Sequence, residues 1–291
     1  MRSGNPVLKN TPFAQPGAQS VGGGNVIHGA NPNAMADARE QAGADLMTVR
    51  GTAMKTVYMV LIAVVSAAAS WNYFSANPGA IMITCIGSLI ASLITGFIIY
   101  RSPKIAHFVV PLFAFAEGMF LAAFSVAVIE YSSLGQNLVP AGVTDPDVIR
   151  KAGFAVVGQA AGLTFAIAGA VLLGYASGLL RLGSMAKKMI MVMTAGVMMY
   201  YLISFVANMA LGSGTIPNLG MSASPIGIGF SVLVVILASF NLLMDFQTID
   251  EGAKRGMPKH YEWVGAFAIL TTLVWLYIEL LRLLMKLNSK R

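Results

Sequence analysis

From about residue 50 onward, long apolar runs alternate with short polar breaks, and seven of the runs are long enough to cross a bilayer. They are Lys55 to Phe74, Ala80 to Tyr100, Ala106 to Ile129, Gly153 to Leu180, Met189 to Leu211, Ile226 to Asp245 and Val264 to Leu287. A helix needs about 20 mostly apolar residues to traverse the hydrocarbon core. The pattern therefore predicts an all-α membrane protein, a bundle of seven transmembrane helices. The breaks carry turn and capping chemistry: Asn77-Pro78-Gly79 closes the first hairpin, and Asp145-Pro146 and Ser224-Pro225 each place a capping side chain before a proline at the first helical position. In the fourth run Gly158, Gly162, Ala166, Ala170, Gly174 and Gly178 recur every four residues. Such a stripe lets backbones approach closely in lipid, so it predicts a tight packing seam or a sliding surface.

Composition agrees with the pattern. Apolar residues make up 56% of the 291 positions and charged residues 11%, with a mean hydropathy of +0.72, against roughly 25% charged in soluble domains. Residues 1–50 differ: they are polar and rich in Gly, Asn and Pro, with Gly22-Gly23-Gly24 at their centre. That segment predicts a disordered cytoplasmic tail ahead of a transmembrane domain over 51–291. It holds no apolar stretch of signal-peptide type, so the first run is expected to act as an uncleaved anchor. The net charge of +7 does not indicate nucleic acid, because Lys and Arg sit in small groups flanking the apolar runs, as membrane flanks do. Cys85 is the single cysteine, which excludes an internal disulfide and a cysteine-based metal cluster.

Loop charge predicts direction. Basic residues crowd the tail (Arg2, Lys9, Arg39, Arg50) and the second, fourth and sixth loops, while the first and fifth loops hold none and the third only Arg150 and Lys151. The positive-inside rule then puts the N-terminus in the cytoplasm. The basic C-terminal end (Lys286, Lys290, Arg291) falls outside, against the rule. Either the last run is re-entrant or the early loops dominate, and the second is favoured. Trp71, Tyr73 and Tyr100, at span ends, read as interfacial anchors.

The candidate chemistry is a set of acids within or at the edges of the spans: Glu117, Asp245 and Glu279. A charge at the bilayer centre costs about 2.5–3.5 kcal/mol on insertion scales, so such groups are paired, protonated or facing water. Asn241, Asp245 and Thr248 share one face of the sixth helix, and Thr272, Trp275, Glu279 and Arg282 one face of the seventh. The fifth adds Tyr201, Ser204 and Asn208, and the fourth a lone Gln159. These are expected to line a polar interior where the acids converge as a proton- and cation-sensing site, with Asp245 and Glu279 offering oxygen ligands suited to Ca²⁺ and Arg282 holding the site shut by pairing. Blander readings stand beside this one: an i,i+3 pair for Glu279 with Arg282, and an interfacial acid at a helix end for Asp245. The Asp250-Glu251 and Lys254-Arg255 pairs read as a solvated loop.

Met244-Asp245-Phe246-Gln247-Thr248-Ile249, then Glu251, Ala253 and Gly256, the closing Leu280-Leu281-Arg282-Leu283-Leu284, and Glu117-Gly118 in the third run together resemble the Bax inhibitor/YccA superfamily of transmembrane proteins, in its bacterial form. The resemblance implies a seven-helix bundle with a central last helix, and a Ca²⁺ leak governed by proton-sensitive carboxylates. It implies the plasma membrane as location and, for some members, suppression of cell death or restraint of a membrane protease. Asp245 matches the family's sixth-helix aspartate. The second aspartate of the family's pair falls on Thr272, which cannot ionise; Glu279 or Glu117 is the candidate substitute.

Two functions follow as expectations. One is a pH-sensitive calcium or cation leak channel or transporter, with Ca²⁺ and H⁺ as ions and no cofactor. The other is a non-conducting regulator that binds other membrane proteins. An enzyme fits poorly: His28 lies in the tail, His107 and His260 lie at span edges, and no span carries a mid-membrane histidine to serve as base or zinc ligand.

Overall fold

A computed structural model describes residues 46–138, 145–211 and 219–288. Of the expected disordered tail, residues 1–45 lie outside the described residues, as do Lys290 and Arg291; residues 46–50 are described, and a helix already begins at Val49. The seven runs are seven helices: α1 (Val49–Ala76), α2 (Pro78–Arg101), α3 (Ala106–Glu130), α4 (Pro146–Ala176), α5 (Ser184–Leu211), α6 (Pro225–Lys254) and α7 (Tyr261–Asn288). All seven are long and apolar enough to span a membrane, and the chain is an integral, multi-pass membrane protein.

Local signals set the ends. Pro78 and Pro225 occupy the first turns of α2 and α6, and the Ser224 hydroxyl accepts from the Gly227 N–H at 3.1 Å. The fourth run was expected to stay helical to Leu180, but α4 stops at Ala176. Gly178 turns left-handed (φ 76°), and the Leu180 N–H reaches back to the Gly174 carbonyl, closing the end as C-terminal caps do. The sixth helix runs nine residues past its expected end at Asp245. Asp250–Lys254 and Glu251–Arg255 pair at i,i+4 along the added turns, and Lys187 of α5 joins Glu251 at 2.8 Å. The supposed loop is therefore helix, and Asp245 is no end residue.

Helix α7 is the axis of the bundle, as the resemblance implied. It packs against α1, α3, α4 and α6, whereas α5 rests chiefly on α6. It is one unbroken helix of 28 residues, so the re-entrant alternative is set aside. Beside it, α1 buries Thr52, Thr56, Met59, Ala63 and Ser66 at alternating four- and three-residue steps, one continuous face. Gly118 makes the closest crossing: a Cβ there would stand 2.2 Å from the Ala63 carbonyl oxygen, so α1 and α3 touch through backbone. The Ser66 hydroxyl adds a bond to the Phe115 carbonyl at 2.8 Å.

Three expectations about faces fail. The small-residue stripe of α4 is no internal seam: Gly158, Gly162, Ala166 and Ala170 are exposed, and Cβ atoms at Gly158 and Gly162 would meet nothing within 4 Å. Gln159 also points away from the interior. Trp71 is no interfacial anchor; it is buried, its ring 4.6 Å from that of Phe154.

Candidate functional site

The three acids lie inside the bundle on three different sets of partners. Glu117, 5% exposed, accepts from the Ser92 hydroxyl of α2 at 2.6 Å. Asp245 accepts from Thr272 of α7, also at 2.6 Å. Glu279 is wholly buried; one carboxylate oxygen accepts from the Tyr201 hydroxyl at 2.9 Å and from Arg282 at 3.0 Å.

The expected convergence is therefore corrected. Thr272 and Glu279 are seven residues apart on α7, about 10 Å along the axis at 1.5 Å per residue. Asp245 and Glu279 thus form two layers of the α6–α7 seam, too far apart to share the coordination shell of one ion, whose ligands stand about 2.3–2.6 Å from it. Glu117 belongs to the α2–α3 contact. Among the described residues no group of three or more His, Cys, Asp or Glu side chains is placed to hold a metal ion.

What the structure does assemble is a polar column along one face of α7. Its first layer is Asp245 with Thr272. The second is Glu279 with Tyr201 and Arg282, and the Arg282 guanidinium lies 5.0 Å from the Tyr201 ring centre and 5.1 Å from that of Phe124. Between aromatic faces a cation is stabilised without water. Among the described residues, the second carboxylate oxygen of Glu279 and the Nε of Arg282 have no hydrogen-bond partner. The i,i+3 pair expected for Glu279 as the blander reading does exist, yet it is buried and leaves an oxygen over.

Lys286 forms the third layer, seven residues beyond Glu279. It is fully buried, and its ammonium donates to the carbonyls of Leu219 and Gly227 at 2.7 and 2.9 Å and to the Ser231 hydroxyl at 2.7 Å. Counting Lys286 as a loop charge was an error; removing it weakens the conflict between the C-terminal end and the loop-charge rule. Glu262 closes the opposite end of α7. Only 2% exposed, it pairs with Lys55 and accepts from both the N–H and the hydroxyl of Thr48 at 2.9 Å. The short lead into α1 is strapped down there as well, with the Met47 N–H donating to the Met257 carbonyl at 2.7 Å.

Neither Lys286 nor Glu262 figured among the sequence candidates. A signal existed for Lys286, since 272, 279 and 286 step by seven along one helix face. For Glu262 there was none, because its partners lie more than two hundred residues away. The remaining candidates divide. Asn241 donates to the Thr194 hydroxyl of α5 at 2.7 Å and helps fix the seam. Thr248 is exposed and bonds its own helix at Met244, so it lines nothing. Asn208 donates to the carbonyl of Ser204, one turn back.

A family model described as Bax inhibitor 1 like matches residues 5–289, nearly the whole chain. No curated protein and no solved structure matches it.

Proposed function

Because the chain belongs to the Bax inhibitor 1 like family of membrane proteins, we propose that it is a pH-sensitive leak for cations, Ca²⁺ foremost, running along the α6–α7 seam. The observation that carries this reading is Glu279. A fully buried carboxylate with one oxygen unpartnered offers a place for a proton or a passing cation, since a buried acceptor left unsatisfied costs about 1–3 kcal/mol. The separation of the acids favours transit over storage. Conduction requires binding strong enough to admit an ion and weak enough to release it, and successive shallow sites meet that requirement better than one deep site.

Each layer has a role in this reading. Asp245, held by Thr272, is one station; Glu279 is the next, and Arg282 competes with the ion for it. Thr272 stands where the family's second aspartate would, cannot ionise, and donates its hydroxyl to Asp245. Glu117 contributes to the α2–α3 contact and not to the path. The loop charges orient the N-terminus to the cytoplasm, and the plasma membrane is the proposed site. The Lys55–Glu262 pair then stands at the cytoplasmic mouth.

A second reading, a regulator that binds other membrane proteins, draws support from the exposed small-residue face of α4, a surface suited to close packing with another helix. Proteoliposomes separate the two. Passive Ca²⁺ entry through the purified chain, compared with Na⁺ and K⁺ and repeated across pH, is expected to exceed that of empty vesicles and to vary with pH. Entry no faster than in empty vesicles at every pH would leave the regulator.

A further inference from the structure

A second feature of the bundle lies away from the α6–α7 column. A cavity of about 510 Å³ opens between α1, α3, α4 and α7, within the size range of small-molecule sites. Its walls are almost wholly apolar, Val60, Ala63, Ala67, Leu121, Phe165 and Leu270 among them. The hydroxyls that reach it are already engaged: Ser125 and Tyr277 bond each other at 2.8 Å, and Thr164 bonds the Ala160 carbonyl. Water in a cavity needs 2–4 polar partners, and these walls offer it little. Hydrocarbon fits them.

Shape and position narrow the occupant. The lining runs from Val60 to Trp71 on α1 and from Phe154 to Phe165 on α4, which is about 16 Å on each helix at 1.5 Å per residue. That is close to half of the roughly 30 Å hydrocarbon core, one leaflet deep. The cavity lies toward the end where α1 and α3 finish and α4 begins. Trp71 and Phe154, in ring contact, stand near its outer limit, and the exposed Asn72 lies at its rim. One turn above Phe154, in the opening turns of α4, stand Lys151 and Arg150, both exposed. They are the only basic residues in the sequence of the third loop region.

We propose that this cavity is a phospholipid site, holding one acyl chain between α1, α3, α4 and α7 while the lipid phosphate is met by Lys151. An apolar slot one leaflet deep takes the chain, and a cation above its mouth takes the headgroup.

The test uses the full chain in nanodiscs, with Trp263→Phe and Trp275→Phe so that Trp71 alone reports. A phosphatidylglycerol carrying a brominated acyl chain is titrated in, and quenching of Trp71 is read. Saturable quenching is expected. Ala161→Phe, which fills the slot from α4, abolishes the saturable part; if that variant does not fold, Ala67→Leu fills it from α1. Lys151→Gln weakens the phospholipid by roughly fivefold, the equivalent of about 1 kcal/mol per basic residue near a membrane surface, and leaves a brominated free fatty acid unaffected. Quenching that rises linearly with brominated lipid and is equal in the filled variant would overturn the proposal. So would equal quenching by phospholipid and free fatty acid with no effect of Lys151→Gln, which would assign the slot to fatty acids alone.

Discussion

Replacing Lys286 by methionine keeps most of the side chain's length and apolar stem and removes only its ammonium. Among what is lost are three hydrogen bonds, to the carbonyls of Leu219 and Gly227 and the hydroxyl of Ser231, at a residue with no exposed surface. Side-chain hydrogen bonds inside membranes average about 0.6 kcal/mol, with a maximum near 1.7, so three bonds bracket a loss of about 2–5 kcal/mol. Removing a buried charge also removes its desolvation cost, which places the expectation in the lower half, about 2–3 kcal/mol. The assay is reversible unfolding in mixed micelles, followed by helicity, with Ser231→Ala made alone and in combination. In the double variant one stranded acceptor is gone, so the combined loss should fall short of the sum by about 0.5–1 kcal/mol. Stability of Lys286→Met within 0.5 kcal/mol of the parent, or strict additivity with Ser231→Ala, would refute the reasoning.

Three further outcomes are expected. Gly118→Ala sets a Cβ 2.2 Å from the Ala63 carbonyl and should destabilise by about 1–3 kcal/mol, as overpacking does, read as a lowered melting temperature; Gly162→Ala, whose Cβ meets nothing, should not. Glu262→Ala removes the acceptor of the Thr48 N–H, so amide exchange at Thr48 should rise about tenfold, the equivalent of 1.4 kcal/mol; unchanged exchange would show that the strap holds without the carboxylate. Thr272→Asp brings a second carboxylate against Asp245, and two such groups hold one proton between them. The variant should therefore be most stable at low pH and lose that stability as pH rises, and a melting-temperature profile parallel to that of the parent would contradict the Asp245–Thr272 contact.

The seven spans were legible because hydropathy and length alone define a crossing helix, and the caps at Pro78 and Ser224-Pro225 were written in single residues. The pairing of Asp245 with position 272 also followed from the sequence, through the family motif. Which face of each helix turns inward did not. In a membrane both protein and lipid are apolar, so a stripe such as Gly158–Gly162–Ala166–Ala170 reads the same whether it meets a neighbouring helix or hydrocarbon. The same ambiguity placed Trp71 at the interface and hid its contact with Phe154. Lys286 and Glu262 were missed for a different reason: a charge near a helix end normally reaches water, and only the fold shows that carbonyls, hydroxyls and Lys55 enclose these two instead. The layering of Asp245 and Glu279 depends on the register between α6 and α7, which no local pattern encodes.

Cation passage by this path depends on the charge of Glu279, and one comparison tests it most directly: the rate of passive Ca²⁺ entry into proteoliposomes holding equal amounts of the parent and of Glu279→Gln at neutral pH. Glutamine keeps the size of the side chain and an oxygen for Tyr201 and Arg282, and loses the charge that a cation needs. The expected result is a fall in Ca²⁺ entry of about tenfold or more, the equivalent of at least 1.4 kcal/mol of lost interaction with the ion. Undiminished entry through a folded Glu279→Gln protein would show that cations do not pass by this carboxylate.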